Sequence, residues 1–255
     1  MNGGCRLIAL HGFLGRASDW DVLRGWLPRA SVEAIDLWPL LSARGVTGWP
    51  SMARALDEAL ARAAGDAASV PVFVVGYSFG ARLLLSSAWV TAPGSPVRGC
   101  CLVSCNPGLS EGDAAARTAR QAADEAWARR ILEWPEDELW RAWDAQPVFA
   151  GSVRLERAAG LPAPRGTLAA ALGTFSLAGQ PDGRPRLRAW PSPLLWVTGA
   201  RDGKFSALAR ELAEAGVPAR FVACDEAGHR VPWDSPAAFA GALGAWMTRV
   251  METGR

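Results

Sequence analysis

The sequence has few or none of several features that mark particular classes of protein. It contains two histidines, and only one of its 27 basic residues, Lys204, is a lysine. The formal net charge is +2, which gives no basic surface for nucleic acid or for an anionic membrane. No apolar run approaches the roughly 20 residues of a membrane-spanning helix. We therefore predict neither a nucleic-acid-binding protein nor a membrane protein.

Motifs for metals and cofactors are also missing from the sequence. Its five cysteines have no CxxC spacing and are expected to be buried thiols within apolar runs. No GxxxxGK motif is present to bind phosphate. We predict no metal ion and no cofactor, and the sequence gives no signal for the oligomeric state. The first residues lack the features of a signal peptide, so we expect a cytoplasmic location.

The sequence does contain short apolar runs that alternate with helical patterns, which is typical of a parallel sheet built from βαβ units. The runs are apolar at successive positions, as in strands covered by helices on both faces. The predicted strands are Cys5–Leu10, Ser31–Ile35, Pro71–Val75, Gly99–Ser104, Pro193–Thr198 and Ala219–Ala223. The predicted helices outside the longest connection are Trp20–Trp26, Ser51–Ala64, Ala81–Trp89, Ser206–Glu214 and Pro236–Met251.

One long segment, residues 107–190, interrupts this alternation. It has no convincing strand, and its sequence predicts helices at Glu111–Leu132, Glu136–Trp143 and Thr167–Leu177. An insertion of about 80 residues is too long for an ordinary loop. We interpret it as a helical cap over the carboxyl edge of the sheet, where open α/β sheets bind ligands. The core of this single structural domain would then comprise residues 1–106 and 191–255.

The strongest chemical motif is the pentapeptide Gly76–Gly80, with Ser78 at its centre. It follows a predicted buried strand and precedes a predicted helix, which is the setting of a nucleophile elbow. The two glycines leave room where the backbones on either side of so sharp a turn crowd together. The motif predicts Ser78 as the nucleophile of an α/β-hydrolase fold, a mostly parallel sheet flanked by helices with the cap inserted before the penultimate strand.

The loop after the first predicted strand, His11–Gly15, supplies the second part of such a site. In this fold an oxyanion hole forms from a backbone N–H of that loop and from the N–H that follows the nucleophile. Those donors would be Phe13 and Phe79, and His11 would be structural. The other histidine, His229, lies just past the last predicted strand and is therefore the predicted base.

The acid of the triad should follow the penultimate strand, because the order in this fold is nucleophile, acid, histidine. Asp202 lies at that position and would orient His229 and stabilise its charged form. Asp225 and Glu226 are nearby but belong to the segment that leads into His229 itself. We therefore predict Asp202.

Beyond these motifs, the sequence resembles the 2-succinyl-6-hydroxy-2,4-cyclohexadiene-1-carboxylate synthases of menaquinone biosynthesis along nearly its full length. The matching segments lie in both the predicted core and the predicted cap. They are His11–Gly15, Gly76–Arg82, Asn106–Leu109, Ala119–Gln121, Asp124, Trp127–Arg129, Trp143, Gln146–Phe149, Gln180–Asp182 and Arg201–Phe205.

This resemblance implies a lyase rather than a hydrolase. The expected reaction eliminates pyruvate from 2-succinyl-5-enolpyruvyl-6-hydroxy-3-cyclohexene-1-carboxylate, with the triad acting as a base. The substrate carries several carboxylates, and arginine is suited to bind carboxylates through two parallel hydrogen bonds. Substrate contacts are implied for Tyr77, Arg82, Arg120 and Trp143. Arg82 also follows Ser78 by four residues on one predicted helix, so both would lie on the same face.

A third substrate-binding arginine in the cap is implied as well. Arg157 is our candidate, and Arg165 is the alternative, because the spacing before Thr167 is longer than the resemblance leads us to expect. Two other functions stay open at this point. One is a carboxylesterase or thioesterase that acts on an anionic ester with the same triad. The other is a ligand-binding protein that keeps the fold without turnover.

Overall fold

The computed structural model describes residues 4–65 and 70–253. Within these residues the sheet has six strands, all parallel, in the order β2-β1-β3-β4-β5-β6. The strands are β1 (Cys5–Leu10), β2 (Ala30–Ile35), β3 (Val72–Tyr77), β4 (Val97–Val103), β5 (Leu194–Gly199) and β6 (Ala219–Cys224). Each of the six predicted strands is present, with ends that differ by at most two residues.

Helices occupy the connections between the strands. They are α1 (Leu37–Leu41), α2 (Trp49–Ala64), α3 (Phe79–Ser86), α4 (Ala88–Thr91), α5 (Ala114–Glu133), α6 (Glu136–Asp144), α7 (Arg165–Thr174), α8 (Arg184–Arg188), α9 (Gly203–Glu214), α10 (Val231–Asp234) and α11 (Pro236–Thr253). Short 3-10 helices cover Ala17–Leu23 and Pro147–Phe149. The first of these replaces the helix predicted over Trp20–Trp26. The helix predicted over Ala81–Trp89 is interrupted at Ser87, whose side chain caps α4.

The core lies in two layers, one on each face of the sheet. Along β3, Val74 belongs to one layer and Phe73 to the other, because successive side chains of a strand point to opposite faces. Both layers are covered by helices, which explains why the inner strands are mostly apolar, with Arg6 in β1 and Arg98 in β4 as exceptions near the amino ends of their strands. The outer strands β2 and β6 have several partly or fully exposed residues. The expectation of two buried faces is therefore wrong for these two strands, since each has a neighbour on one side only.

The connection between β4 and β5 is helical, as predicted for the cap. It contains α5, α6, α7 and α8, and residues 104–193 include no strand. Ile131, Leu139 and Leu168 are fully buried and belong to the same apolar cluster as Leu10 and Phe79 of the core. The cap is thus packed onto the sheet layer that lies beside α3. Helix α8 was not among the helices predicted for the cap.

Helices in the described part of the chain are too short or too polar to cross a bilayer.

The carboxyl ends of four neighbouring strands bring the polar residues of the candidate site together. Ser78 follows β3, Ser104 follows β4, Asp202 follows β5 by three residues, and His229 lies in the loop after β6. Because these strands are adjacent and parallel, their carboxyl ends meet at one edge of the sheet.

Candidate active site

Ser78 lies in a sharp turn between β3 and α3. Its backbone is in a strained conformation, with φ of 50° and ψ of −105°. A Cβ on Gly76 would lie 2.6 Å from the nitrogen of Ala81, and one on Gly80 would lie 2.5 Å from the carbonyl oxygen of Leu10. Only glycine fits at these two positions, because the crowding atoms belong to the backbone. The sequence therefore builds the turn that presents the Ser78 hydroxyl at the helix N-terminus.

The three side chains predicted as a triad lie within hydrogen-bonding reach of one another. His229 Nε2 is 3.3 Å from Ser78 Oγ, and His229 Nδ1 is 2.7 Å from Asp202 Oδ2. The side chains of His229 and Asp202 are only 4% and 5% exposed. This geometry fits a histidine that donates through Nδ1 to the carboxylate and accepts the serine proton at Nε2.

The backbone of His229 is held by a residue that the sequence did not single out. Ser104 Oγ donates a hydrogen bond to the carbonyl oxygen of His229 at 2.8 Å. Ser104 is buried and has a positive φ of 48°, which is uncommon for a non-glycine residue. A serine at the end of the otherwise apolar predicted strand Gly99–Ser104 was the one available signal.

The two predicted oxyanion donors border the same cavity as Ser78. Phe13 and Phe79 both line it, and their rings meet edge to face at 6.0 Å. Within the described ranges, neither backbone N–H donates to a protein acceptor, so both remain available to a ligand. His11 has the expected structural role. Its Nδ1 donates to the carbonyl of Gly12 at 2.8 Å, and its Nε2 accepts from the N–H of Leu37 at 3.0 Å.

The cavity beside Ser78 has a volume of about 250 Å³ and contains three cationic side chains. Arg82 comes from α3, Arg120 from α5 and Lys204 from α9. Aromatic side chains, including Trp143 and Phe149, form much of the remaining wall. The combination of three cations with apolar walls suits a small organic anion.

Arg82 is the most enclosed of the three cations. It donates through Nε to Gln180 Oε1 and through Nη2 to the carbonyl of Phe175 at 2.7 Å, and it lies over the ring of Trp49 at 5.2 Å. Across residues 4–65 and 70–253, no carboxylate forms an ion pair with it. Burial, together with the charge of Arg120, lowers the pKa of Arg82 to about 9, which leaves it charged at neutral pH. A desolvated cation without an anionic partner is a strong site for a substrate carboxylate.

Arg120 is directed by a buried carboxylate. Asp124 accepts from Arg120 Nε at 2.8 Å and from Ser176 Oγ at 2.6 Å. Asp124 is 3% exposed at its side chain, whereas Arg120 is 37% exposed. The buried carboxylate of Asp124 thus fixes Nε of the Arg120 guanidinium, while the terminal nitrogens of Arg120 remain available at the cavity. The structure brings Arg82 and Arg120 together, as the sequence predicted.

Three other predicted contacts are distributed between this cavity and a neighbouring one. Trp143 lines both, and it packs against Phe13 with ring centroids 5.5 Å apart. Tyr77 and Arg157 line only the second cavity, which has a volume of about 300 Å³. Tyr77 stacks edge to face on Trp233 at 4.8 Å. These two residues therefore lie next to the Ser78 cavity rather than within it.

The guanidinium of Arg157 is already occupied. Its two terminal nitrogens donate to the carboxylate of Asp144 at 2.7 and 2.6 Å, and the guanidinium lies over the ring of Trp140, 4.2 Å from the centroid. The alternative, Arg165, donates to the carbonyl of Ile131 within the cap. Neither arginine faces Ser78. Lys204 is instead the third cation of that cavity, and the fact that it is the chain's only lysine was its sequence signal.

Comparisons with known proteins agree with this architecture. Residues 7–242 match the model of the alpha/beta hydrolase family. A 2-succinyl-6-hydroxy-2,4-cyclohexadiene-1-carboxylate synthase from Klebsiella pneumoniae is 33% identical over 252 residues, covering 93% of this chain and 91% of the relative. The synthase of the same name from Salmonella schwarzengrund is 34% identical over 248 residues, covering 94% and 93%.

Solved structures show the same fold at lower identity. MenH from S. aureus superposes with a TM-score of 0.82 and 21% identity, covering 98% of this chain and 95% of that one. An esterase from Thermogutta terrifontis superposes with a TM-score of 0.65 and 22% identity, covering 97% and 91%.

Proposed function

Since the chain belongs to the alpha/beta hydrolase family and, within it, to the 2-succinyl-6-hydroxy-2,4-cyclohexadiene-1-carboxylate synthases, we propose that it catalyses the reaction of that name in menaquinone biosynthesis. It is a lyase that eliminates pyruvate from 2-succinyl-5-enolpyruvyl-6-hydroxy-3-cyclohexene-1-carboxylate. The observation that carries the proposal for this site is the enclosed guanidinium of Arg82, which lacks an acidic partner among the described residues and lies beside Ser78.

The charges of the cavity match those of the substrate. The substrate carries three carboxylates, and the cavity is lined by the three cationic side chains of Arg82, Arg120 and Lys204. Charge-assisted hydrogen bonds to such groups are roughly twice as strong as neutral ones. The aromatic wall, with Trp143 at its centre, would cover the ring of the substrate. We propose Arg82, Arg120, Lys204 and Trp143 as the residues that orient it.

The proposed chemistry uses the triad as a base. Ser78 Oγ removes the proton from ring carbon 2, next to the succinyl ketone, while His229 Nε2 takes up the serine proton. The enolate oxygen that forms is stabilised by the N–H groups of Phe13 and Phe79. Electrons then shift through the ring, forming the two double bonds of the product, and the bond from ring carbon 5 to the enolpyruvyl oxygen breaks. The pyruvate enolate leaves and is protonated at carbon to give pyruvate, and His229 gives up the proton that it had taken from Ser78, so the triad returns to its starting state.

Asp202 supports the proton transfer without taking part in it directly. With Nδ1 of His229 bound to the carboxylate, the imidazole presents an unprotonated Nε2 to Ser78. When His229 becomes charged, the carboxylate stabilises it. No water molecule and no acyl-enzyme is required, so the same residues that serve hydrolases serve an elimination here.

The test is an assay of purified protein with the enolpyruvyl substrate beside a neutral p-nitrophenyl ester. We expect rapid release of pyruvate and slow cleavage of the ester. Ser78→Ala should lower pyruvate release by at least about 1,000-fold, the order seen when a member of such a triad is removed. Its thermal unfolding midpoint should stay close to that of the wild type.

Two results would contradict the proposal in different ways. Fast ester cleavage without pyruvate release would leave the triad in place and indicate an ester hydrolase, the alternative function. Full pyruvate release by Ser78→Ala would instead remove Ser78 from the mechanism.

A further inference from the structure

The loop that carries His229 contacts the core of the protein at two points. Ser104 donates to the His229 carbonyl, as described above. The backbone of Gly199 is also so close to this loop that a Cβ on Gly199 would lie 2.0 Å from the carbonyl oxygen of Gly228. The core thus holds the loop through one hydrogen bond and one close backbone contact.

The same loop also contacts a short segment of the cap, residues 151–153. A Cβ on Gly228 would lie 2.5 Å from Ser152 Oγ and 2.9 Å from the carbonyl carbon of Gly151. The backbone N–H of Arg230 donates to Ser152 Oγ at 3.1 Å. The residues on both sides of His229 therefore contact the same cap residue, Ser152.

One carboxylate, that of Asp234, joins the two segments. Its Oδ2 accepts from the N–H of Gly228 at 2.8 Å and from Ser152 Oγ at 2.9 Å. Its Oδ1 accepts from the N–H of Val153 at 2.7 Å. We call these three hydrogen bonds the Asp234 network. Two of them come from the cap and one comes from the residue next to His229.

Arg230 reinforces the same junction. Its side chain is 3% exposed and donates to the carbonyl of Val153 at 2.8 Å and to Asp144 at the end of α6. Its guanidinium lies over the ring of Phe149, 4.0 Å from the centroid. Burial alone would raise the pKa of Asp144, but hydrogen bonds from Arg157 and Arg230 bring that pKa below its ordinary value. The cap side of the junction is therefore anchored by charged groups.

The proposed mechanism leaves Asp234 without a role, because it lies outside the Ser78 cavity. It is nevertheless one hydrogen bond away from the residue that precedes His229. The distance from His229 Nε2 to Ser78 Oγ, 3.3 Å, lies just beyond the range of about 2.6–3.2 Å for direct proton transfer. A displacement of about 1 Å at such a contact can cost about 100-fold in rate.

We propose that Asp234 is a positioning residue for His229, which holds the histidine loop against cap residues 151–153 so that His229 reaches Ser78. The proposal rests on the role of His229 as the base of the proposed reaction. It also links the cap to the triad, because loss of the contacts to Ser152 and Val153 releases the loop on the cap side.

The test compares Asp234→Asn, Ser152→Ala and the double variant. Asn lacks the second acceptor oxygen, so it cannot accept from both Gly228 and Val153. We expect kcat for pyruvate release to fall at least about 10-fold in Asp234→Asn and about 3-fold in Ser152→Ala, with KM within about twofold, because the base and not the cation set is displaced. The double variant should resemble Asp234→Asn alone, since both changes remove one shared contact.

A matched pair elsewhere in the chain controls for simple loss of stability. Ser87 Oγ donates to Asp57 Oδ1 at 2.5 Å, between α2 and α4. Ser87→Ala removes a comparable aspartate–serine hydrogen bond, and Asp57→Asn weakens it by removing the charge of the acceptor. We expect both to lower the thermal unfolding midpoint while kcat, measured on folded protein, stays within about twofold of the wild type.

The neutral ester separates this proposal from the proposed function. Because His229 serves both reactions, Asp234→Asn should lower kcat for ester cleavage by a similar factor. If the wild-type protein cleaves the ester but releases no pyruvate, the proposed function fails, and the ester rates still decide the role of Asp234. Unchanged kcat in Asp234→Asn, or a higher KM at unchanged kcat, overturns the proposal. If Asp234→Asn does not fold, the Ser152→Ala variant decides: an unchanged kcat in that variant overturns the proposal.

Discussion

The two carboxylate oxygens of Asp202 have different partners, His229 and the first turn of helix α9. Oδ2 accepts from His229 Nδ1 at 2.7 Å, and Oδ1 accepts from the backbone N–H of Phe205 at 3.2 Å, where it caps the helix. One residue therefore has a proposed catalytic contact and a structural one. The two contacts can be separated by experiment, because asparagine caps a helix about as well as aspartate.

The first prediction concerns Asp202→Asn. If the amide oxygen keeps the cap, the amide NH₂ faces His229 Nδ1 and favours the tautomer with the proton on Nε2, which cannot accept the serine proton. We expect kcat to fall by about 1,000-fold or more, with an unfolding midpoint close to that of the wild type. Asp113→Asn, a change at the N-cap of α5, is the matched control and should alter neither quantity. Retention of more than a tenth of the wild-type kcat would argue against the triad.

The second prediction concerns Arg82→Met. Loss of charge-assisted hydrogen bonds worth about 1.5–3 kcal/mol should lower kcat/KM for the enolpyruvyl substrate about 10- to 150-fold. Cleavage of the neutral ester should change less than threefold. Arg117, which donates to the carbonyls of Ala178 and Leu109 within the cap, supplies the control. Arg117→Met should affect both reactions equally, and equal losses in Arg82→Met would remove its role in binding carboxylates.

The third prediction uses the lowered pKa of Arg82. Its value of about 9 in the folded protein lies below the ordinary 12.5, so the unfolded chain binds the proton more tightly. The contribution of Arg82 to stability therefore increases as the pH rises through 9, while its affinity for anions falls. Succinate at 100 times its Kd should add about 2.7 kcal/mol to the free energy of unfolding at pH 7. Thermal unfolding should show a smaller stabilisation by succinate at pH 10 than at pH 7. An equal stabilisation at the two pH values would contradict the assignment of Arg82 as the cation that binds the anion.

The fourth prediction concerns Lys204. Lys204→Met should raise KM for the enolpyruvyl substrate several-fold, by about 1 kcal/mol for an exposed cation, and should leave kcat almost unchanged. Lys204→Arg should restore KM. Since no other ε-amine is present in the chain, reductive methylation followed by mass spectrometry can report on this site. Substrate analogues should protect Lys204, and absence of protection would place it outside the binding site.

The fifth prediction concerns the turn at Ser78. Gly80→Ala should destabilise the protein by at least about 3 kcal/mol, because the new methyl group meets the carbonyl of Leu10 and neither backbone can move away. Gly241→Ala in α11, where a Cβ meets nothing within 4 Å, should instead stabilise it by about 0.5–1 kcal/mol. Denaturant unfolding of both variants checks the opposite signs. A neutral Gly80→Ala would mean that the turn has more room than the structure shows.

Much of the fold could be read from the chain because its signals are local. The inner strands are mostly apolar on both faces, and the glycines at 76 and 80 flank Ser78 within one turn. The order of Ser78, Asp202 and His229 along the chain follows from the order of the strands. Errors occurred where local signals are weak, as at Ala17–Leu23, where a 3-10 helix takes the place of the predicted Trp20–Trp26 helix.

The sequence by itself determined the parallel sheet, the helical cap and the three residues that meet as a Ser-His-Asp arrangement, because strand burial and turn geometry are encoded by neighbouring residues. Only the tertiary structure decided which third cation lines the Ser78 cavity beside Arg82 and Arg120. Lys204 does so, whereas Arg157 pairs with Asp144, thirteen positions away in the chain. The attachment of the histidine loop to Ser152 through Asp234 is likewise a tertiary contact. Such pairings depend on how the cap packs on the sheet, and the spacing of residues along the chain does not specify that packing.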